Sequence, residues 1–275
     1  MTRFATFFLT LLFPLSLWAQ DADYLEFVKA ENRLEALFNQ LYSDSLSDME
    51  AILDTLQIEM TQALGKEGSM DFPWMRLDKI GIITSEDKLI RIFTWHVADD
   101  MDHYRYFGFI QVAMKRGKTS VIALRDNGKP QRGLLKFDQS TENWCGKLYY
   151  QVLTNVYKRK TYYTLLGMDF NTSRSTIKSV EVMALQRSSP YFVRSLFAKN
   201  RDFVDRVVLE YSSQVAISVR YDPGTDMITF DHLVPQHPIY ENNYEFYGPE
   251  GSFDGLEFSG GVWNYRDDID ARNID

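Results

Sequence analysis

Cysteine is almost absent from this sequence. Cys145 stands alone among 275 residues, so no disulfide can form within the chain. Basic residues are also short, 30 against 38 acids, for a formal net charge of −8. That balance denies nucleic-acid phosphates the Lys/Arg patches they need, and no nucleic-acid partner is expected. There are four histidines, His96, His103, His232 and His237, and no two have the one-turn helical spacing of a zinc-ligand pair. A Gly-rich phosphate loop, a nucleophile elbow and a paired CxxC are missing as well, so no cofactor is expected. After residue 19, no apolar run approaches the ~20 residues of a membrane span.

The N-terminus does carry an apolar run. Arg3 supplies a positive start, residues 4–17 are nearly unbroken apolar, and Ala19 precedes Gln20 as a cleavage point. Residues 1–19 therefore read as a secretory signal peptide. An uncleaved anchor is the alternative, but the run is short of a span. The lipoprotein route lacks its cysteine. The expected location is periplasmic or secreted, with no transmembrane segment in the mature chain. Residues 20–275 are enough to bury a core without disulfides, as one large domain or two small ones. Cys145, between Trp144 and Gly146, reads as a buried small hydrophobe rather than a nucleophile.

Residues 20–66 have a helical period. Tyr24, Phe27, Val28, Leu34, Leu37, Phe38 and Leu41 recur at three- and four-residue steps and make one apolar stripe. Residues 43–47 break it, and Ser47 with Glu50 forms a capping box for a second helix ending at Gly65. The short break predicts an antiparallel helical hairpin, whose stripe must pack on the sheet or on a second copy. Residues 66–71 read as an exposed linker, and Phe72-Pro73-Trp74 as an anchor onto the body.

Residues 72–275 read as an antiparallel β body, and from Lys79 the period is two. The spacing predicts hairpins over 80–84 with 89–97 and over 104–114 with 119–124. A central block of strands follows at 147–153, 161–168, 177–185, 206–212, 215–222 and 227–233. A sub-boundary is expected near 126–143. Residues 154–160 read as a polar loop, 188–202 as irregular, and 237–254 as a long loop packed by its own aromatics. Asp222-Pro223-Gly224 suits a type II turn. A last hairpin pairs 256–258 with 262–265. The expected fold is mainly β with an N-terminal helical hairpin. Its strands form a meander, sandwich, open barrel or partial propeller-like array, and an α+β arrangement is the alternative.

Three groups of residues suggest chemistry. Asp169, Asn171 and Ser173 alternate as oxygen ligands do at the start of an EF-hand, but Arg174 occupies the glycine position and Val180 the bidentate Glu position. A hairpin turn whose side chains cap backbone N–H groups explains the same residues, so no metal is expected. The tail acids Asp267, Asp268 and Asp270 read as solvated charge. Glu210, Asp231 and His232, with Asp254, are strand-borne candidates for the acid/base work of a hydrolase, if they converge in one cleft. Tyr240, Tyr244, Phe246 and Tyr247 are candidate binding residues, because loop aromatics offer flat contact faces.

Trp144-Cys-Gly-Lys-Leu-Tyr-Tyr, Tyr162-Tyr-Thr-Leu-Leu-Gly, Ile228-Thr-Phe-Asp-His-Leu and Tyr247-Gly-Pro-Glu-Gly-Ser-Phe-Asp-Gly resemble an uncharacterised group of exported Bacteroidetes proteins over about 140–265. The resemblance implies an exported protein and brings no activity with it. Two functions remain open. One is a non-enzymatic binding module of the cell envelope, its partner an envelope protein or a glycan. The other is a hydrolase of glycan or peptide using strand-end carboxylates.

Overall fold

The computed structural model describes residues 16–43, 48–98, 103–128, 136–199 and 202–269, with side chains from Tyr24 onward. Residues 1–15 of the expected leader, Ser47 of the expected capping box and Asp270 of the tail lie outside the described residues. No helix among the described residues is long and apolar enough to cross a membrane. The protein is mainly β with an N-terminal helical hairpin. It divides into two compact units. One takes the helices up to Ala63 together with Asp71–Leu77, and the other takes Leu64–Met70 and everything from Asp78 onward.

In the first unit, α1 (Ser16–Leu41) passes through Ala19-Gln20, and α2 (Met49–Gly65) ends at the expected glycine. The stripe is what the period dictates. Phe27, Ala30, Leu34, Phe38 and Leu41 of α1 are buried, as are Leu53, Leu56, Met60 and Ala63 of α2. Arg33 of α1 and Glu59 of α2 bridge the helices at 3.2 Å. The Phe72–Trp74 segment anchors on α1. Phe72 lies 5.4 Å from Phe27 and 4.8 Å from Trp74, and the Arg76 N–H donates to buried Glu31 at 2.9 Å.

The second unit holds three sheets. The first is a meander of β1 (Gly81–Thr84), β2 (Ile90–Ala98), β3 (Tyr104–Ala113) and β4 (Thr119–Arg125) in that order. The second contains β5 (Leu148–Tyr157), β6 (Lys160–Asp169), β7 (Ser175–Gln186), β8 (Ser189–Phe192) and β11 (Arg206–Ser212), in the order β11-β7-β6-β5 with β8 also on β7. The third contains β9 (Phe197–Lys199), β10 (Asp202–Val204), β12 (Val219–Asp222), β13 (Met227–Pro235), β14 (Tyr247–Ser259) and β15 (Val262–Ile269), in the order β10-β9-β15-β14-β13-β12. Every pair is antiparallel except β15 with β9.

The second sheet is the shared wall of two cores. Leu165 and Met183 join Ile90, Ile92, Ile110 and Trp144 on the side of the first sheet. Leu166, Val180 and Val182 join Ile228, Phe230, Leu256 and Trp263 on the side of the third. Alternate side chains of one strand thus feed opposite cores, which is why β7 is buried along nearly its whole length.

Several sequence expectations need correction. Residues 154–160 are not a loop, because Lys158 and Arg159 both take left-handed φ (47° and 64°) and close a two-residue hairpin turn. The region read as irregular holds β8, β9 and β10, strands too short to show a period. The long loop ends at Tyr247, where β14 begins. The turn after Asp222 is not type II. Gly224 is absent from the positive-φ positions and Asp226 holds the left-handed one, while the Asp222 carboxylate caps the Gly224 N–H at 2.9 Å. The linker at 66–71 is not wholly exposed. Ser69 is buried, donates to the Leu64 carbonyl at 2.6 Å and accepts from the amide nitrogen of buried Gln111 on β3 at 2.8 Å.

Candidate functional site

One end of the β unit collects polar and aromatic side chains. Tyr104 begins β3, Asp126 follows β4, the turn from Asp169 to Ser175 joins β6 to β7, and β11 ends at Ser212 beside Ser175. Two cavities open there. The first, about 340 Å³, is lined by residues that include His103, Tyr104, Tyr106, Asp126 and Asp169. The second, about 420 Å³, is lined by residues that include Tyr104, Met168, Thr176, Lys178, Tyr211 and Ile217. Tyr104 and Thr172 belong to both. Both volumes fall within the ~300–1,000 Å³ usual for small-molecule sites.

The first cavity is built on two carboxylates already committed to the backbone. Asp126 accepts from the Tyr106 N–H at 3.0 Å, the Gly128 N–H at 3.0 Å and the Gly146 N–H at 3.2 Å. Asp169 accepts from the Tyr106 hydroxyl at 2.8 Å and the Asn171 N–H at 2.8 Å. Burial and the neighbouring Asp169 push the Tyr106 hydroxyl well above the usual tyrosine range. Both carboxylates are engaged by fixed donors and serve to hold the fold rather than to shuttle protons. The geometry clips the 126 and 169 turns to β3. His96, Tyr104 and Phe170 form an aromatic cluster beside it, with Phe170 4.8 Å from His96 and 5.1 Å from Tyr104.

The EF-hand-like residues form a turn. Asn171 takes the left-handed conformation, and its amide donates to Ser175 at 2.7 Å and Glu210 at 3.3 Å. Ser175 also donates to Glu210 at 2.9 Å. The Ser173 carbonyl accepts from the Ser213 hydroxyl at 2.8 Å. Donors therefore point where calcium would need oxygens. Among the described residues, no three or more His, Cys, Asp or Glu side chains gather as a metal site.

The hydrolase candidates occupy separate settings. Glu210 serves the Asn171–Ser175 turn. Asp231 caps the Ser218 N–H. His232 sits at a bulge in β13 and bonds Asp254 through Nδ1 at 2.8 Å, and Asp254 also accepts from Tyr265 and from the Asp268 N–H. Of the four, the structure brings together only His232 and Asp254, and none of them lines either cavity. His237 goes elsewhere and caps the Ile239 N–H at 3.3 Å.

The loop aromatics pack as two pairs. Tyr240 stacks on Phe246 with ring centroids 4.1 Å apart and planes 12° apart, and Tyr244 lies 4.7 Å from Tyr247. All four are half-buried. The turn at Tyr244–Phe246 packs on β11, and Glu245 pairs with Arg174 at 3.4 Å, so the loop belongs to the same end of the unit.

Sequence reasoning missed the most polar part of the interior. Lys147, Glu181 and Arg206 are almost wholly buried, with side-chain exposures of 0%, 3% and 2%. Lys147 Nζ bonds Glu181 at 2.8 Å and Ser179 at 3.3 Å, and the Gln139 amide donates to Glu181 at 3.1 Å. Tyr149 donates to the same carboxylate and accepts from the Trp144 indole N–H at 2.9 Å. Arg206 donates to Gln139 at 2.8 Å and stands 3.9 Å from Glu181. Burial pushes the Glu181 carboxyl up, but Lys147 and Arg206 outweigh it and hold the group below the usual carboxylate range. Cys145 is fully buried against this network. The only sequence signal was Glu181 between Val180 and Val182 on β7.

No family model, curated protein or solved structure matches this chain.

Proposed function

We propose that the protein is an exported, non-enzymatic binding module of the cell envelope that contacts an envelope protein or a glycan through residues 237–254. The observation that carries this reading is the stacked Tyr240–Phe246 pair. It presents a flat, half-buried aromatic face next to Ile239, a residue 77% exposed. Rings already stacked lose little freedom on binding and bring large contact area, as binding surfaces require. The loop is also held on β11, so the surface is preorganised. A hydrolase would need carboxylates facing one pocket, and Glu210, Asp231 and Asp254 are each engaged in local bonds instead. Export is supported by Arg3, the apolar run at 4–17, Ala19-Gln20 and the resemblance to exported Bacteroidetes proteins.

The test places a photo-crosslinking amino acid at position 239 and, in the same cells, sequences the N-terminus of the mature protein. A cross-link to one defined envelope component, lost on Tyr240→Ser, is expected, together with a mature N-terminus at Gln20. Cross-linking unaffected by Tyr240→Ser, or a mature N-terminus at Met1, would overturn the reading.

A further inference from the structure

The core between the second and third sheets opens at one end into the 420 Å³ cavity. Its walls continue that core. Tyr211 and Ile217 are core members, Val215 packs against them, and Met168 lines the same mouth. A charge stands on this apolar wall. Lys178 shares a face of β7 with Val180 and Val182, which point into the core. Its ammonium donates to the Ile217 carbonyl at 2.6 Å and lies 5.7 Å from the Tyr150 ring. Among the described residues it forms no ion pair within 4 Å. Asp231 is the acid whose charge reaches it, and that carboxylate is already taken by the Ser218 N–H. Burial pushes the Lys178 ammonium down, which marks an environment short of counter-charge. Thr176 lies two residues earlier on the same face, opposite Tyr211, and its hydroxyl bonds no described residue.

We propose that this cavity binds a small monocarboxylate with an apolar body, with the carboxylate taken by Lys178 and Thr176. The argument is one of matching. A neutral apolar ligand would leave a half-buried ammonium without its counter-charge, at a cost. A dianion would meet one cation and the field of Asp231, which is too little positive charge to hold it. One anionic group beside one ammonium and one hydroxyl is balanced, and a charge-assisted bond in such a site is the strong kind. Most of the remaining lining, from Met168, Phe170, Val215, Ala216 and Ile217, suits an acyl or aryl group, although Thr172, Ser173 and Ser213 also line the cavity. No residue of 237–254 lines this cavity, so its failure leaves that reading untouched.

The experiment titrates the full chain with octanoate, 1-octanol and acetate by calorimetry, and follows the Met168 methyl signal by NMR. Octanoate is expected to bind and to shift Met168, with 1-octanol and acetate about tenfold or more weaker. Lys178→Met should abolish the preference for octanoate over 1-octanol, and Thr176→Val should weaken octanoate several-fold. Should Lys178→Met not fold, the wild-type comparison of octanoate with 1-octanol and the Met168 shift still decide. Equal affinity for octanoate and 1-octanol, absence of octanoate binding, or binding that leaves Met168 unmoved would each overturn the proposal.

Discussion

Replacing Glu181 by Gln should be among the most damaging single changes in the β unit. The carboxylate sits 2.8 Å from Lys147 Nζ and 3.9 Å from Arg206, all three side chains being 3% exposed or less. Gln keeps the shape and removes the charge, leaving two buried cations with no anion between them. Breaking a buried pair this way costs about 3–5 kcal/mol. Set against the ~5–15 kcal/mol of a whole domain, that is a large share. Lys147→Met is the informative contrast, since it leaves one cation, Arg206, facing one anion. It should cost less than Glu181→Gln, although it removes the closer hydrogen bond. Urea unfolding followed by tyrosine and tryptophan fluorescence gives both numbers from the midpoints at constant slope. The pH dependence follows from the same charges. Glu181 is held below its unfolded value, so its contribution is full above ~4.3 and is lost as pH falls through the folded value. A Glu181→Gln protein within about 1 kcal/mol of wild type, or one more stable than Lys147→Met, would refute the reasoning.

Three further outcomes are expected. Gly146→Ala should destabilise by about 1–3 kcal/mol in the same assay, because a Cβ there would lie 2.6 Å from both the Asp126 carboxyl carbon and Tyr106 Cβ. Burial lowers the His96 pKa, so its imidazole stays neutral in the fold. Stability from this group is present above ~6.5 and is lost as pH falls below it, and His96→Phe should flatten that part of a Tm-versus-pH curve. Cys145 is fully buried and should resist alkylation in the native protein, reacting at the rate of a free thiol only in denaturant, as a mass-spectrometric time course would show.

The sequence made the architecture largely readable. The stripe of α1, the end of α2 at Gly65 and the long hairpin strands all follow from local periods. What stayed hidden depends on distant partners. β9 pairs with β15 across more than sixty residues and is three residues long, too short to carry a pattern. The Lys158–Arg159 turn uses left-handed φ at non-Gly residues, so no Gly or Asn announced it. Gly261 shows a related effect, since its φ of 86° and the Tyr157 ring 2.3 Å from its would-be Cβ leave room for nothing larger. At the end of the unit that holds the cavities, Asp169 and Asn171 were singled out for their oxygens, but whether such oxygens face a ligand or a backbone N–H is decided only by the turn. Glu181 was invisible as a partner because its partners Lys147 and Arg206 come from places far away in sequence, and Lys178 because Ile217 lies 39 residues further on.

The strand that carries Glu181 and Lys178 is packed on both faces, and this bears on how the molecule opens. The amides of β7 are bonded to β6 along one edge and to β11 and β8 along the other. Releasing them requires both flanking cores to come apart at once, so in hydrogen–deuterium exchange β7 should be the last strand to take up label. The edge strands β10 and β12, and the exposed hairpin tip at Lys158–Arg159, should exchange first. Solvent then enters the protein from its rims, and the central strand reports the free energy of unfolding the whole β unit.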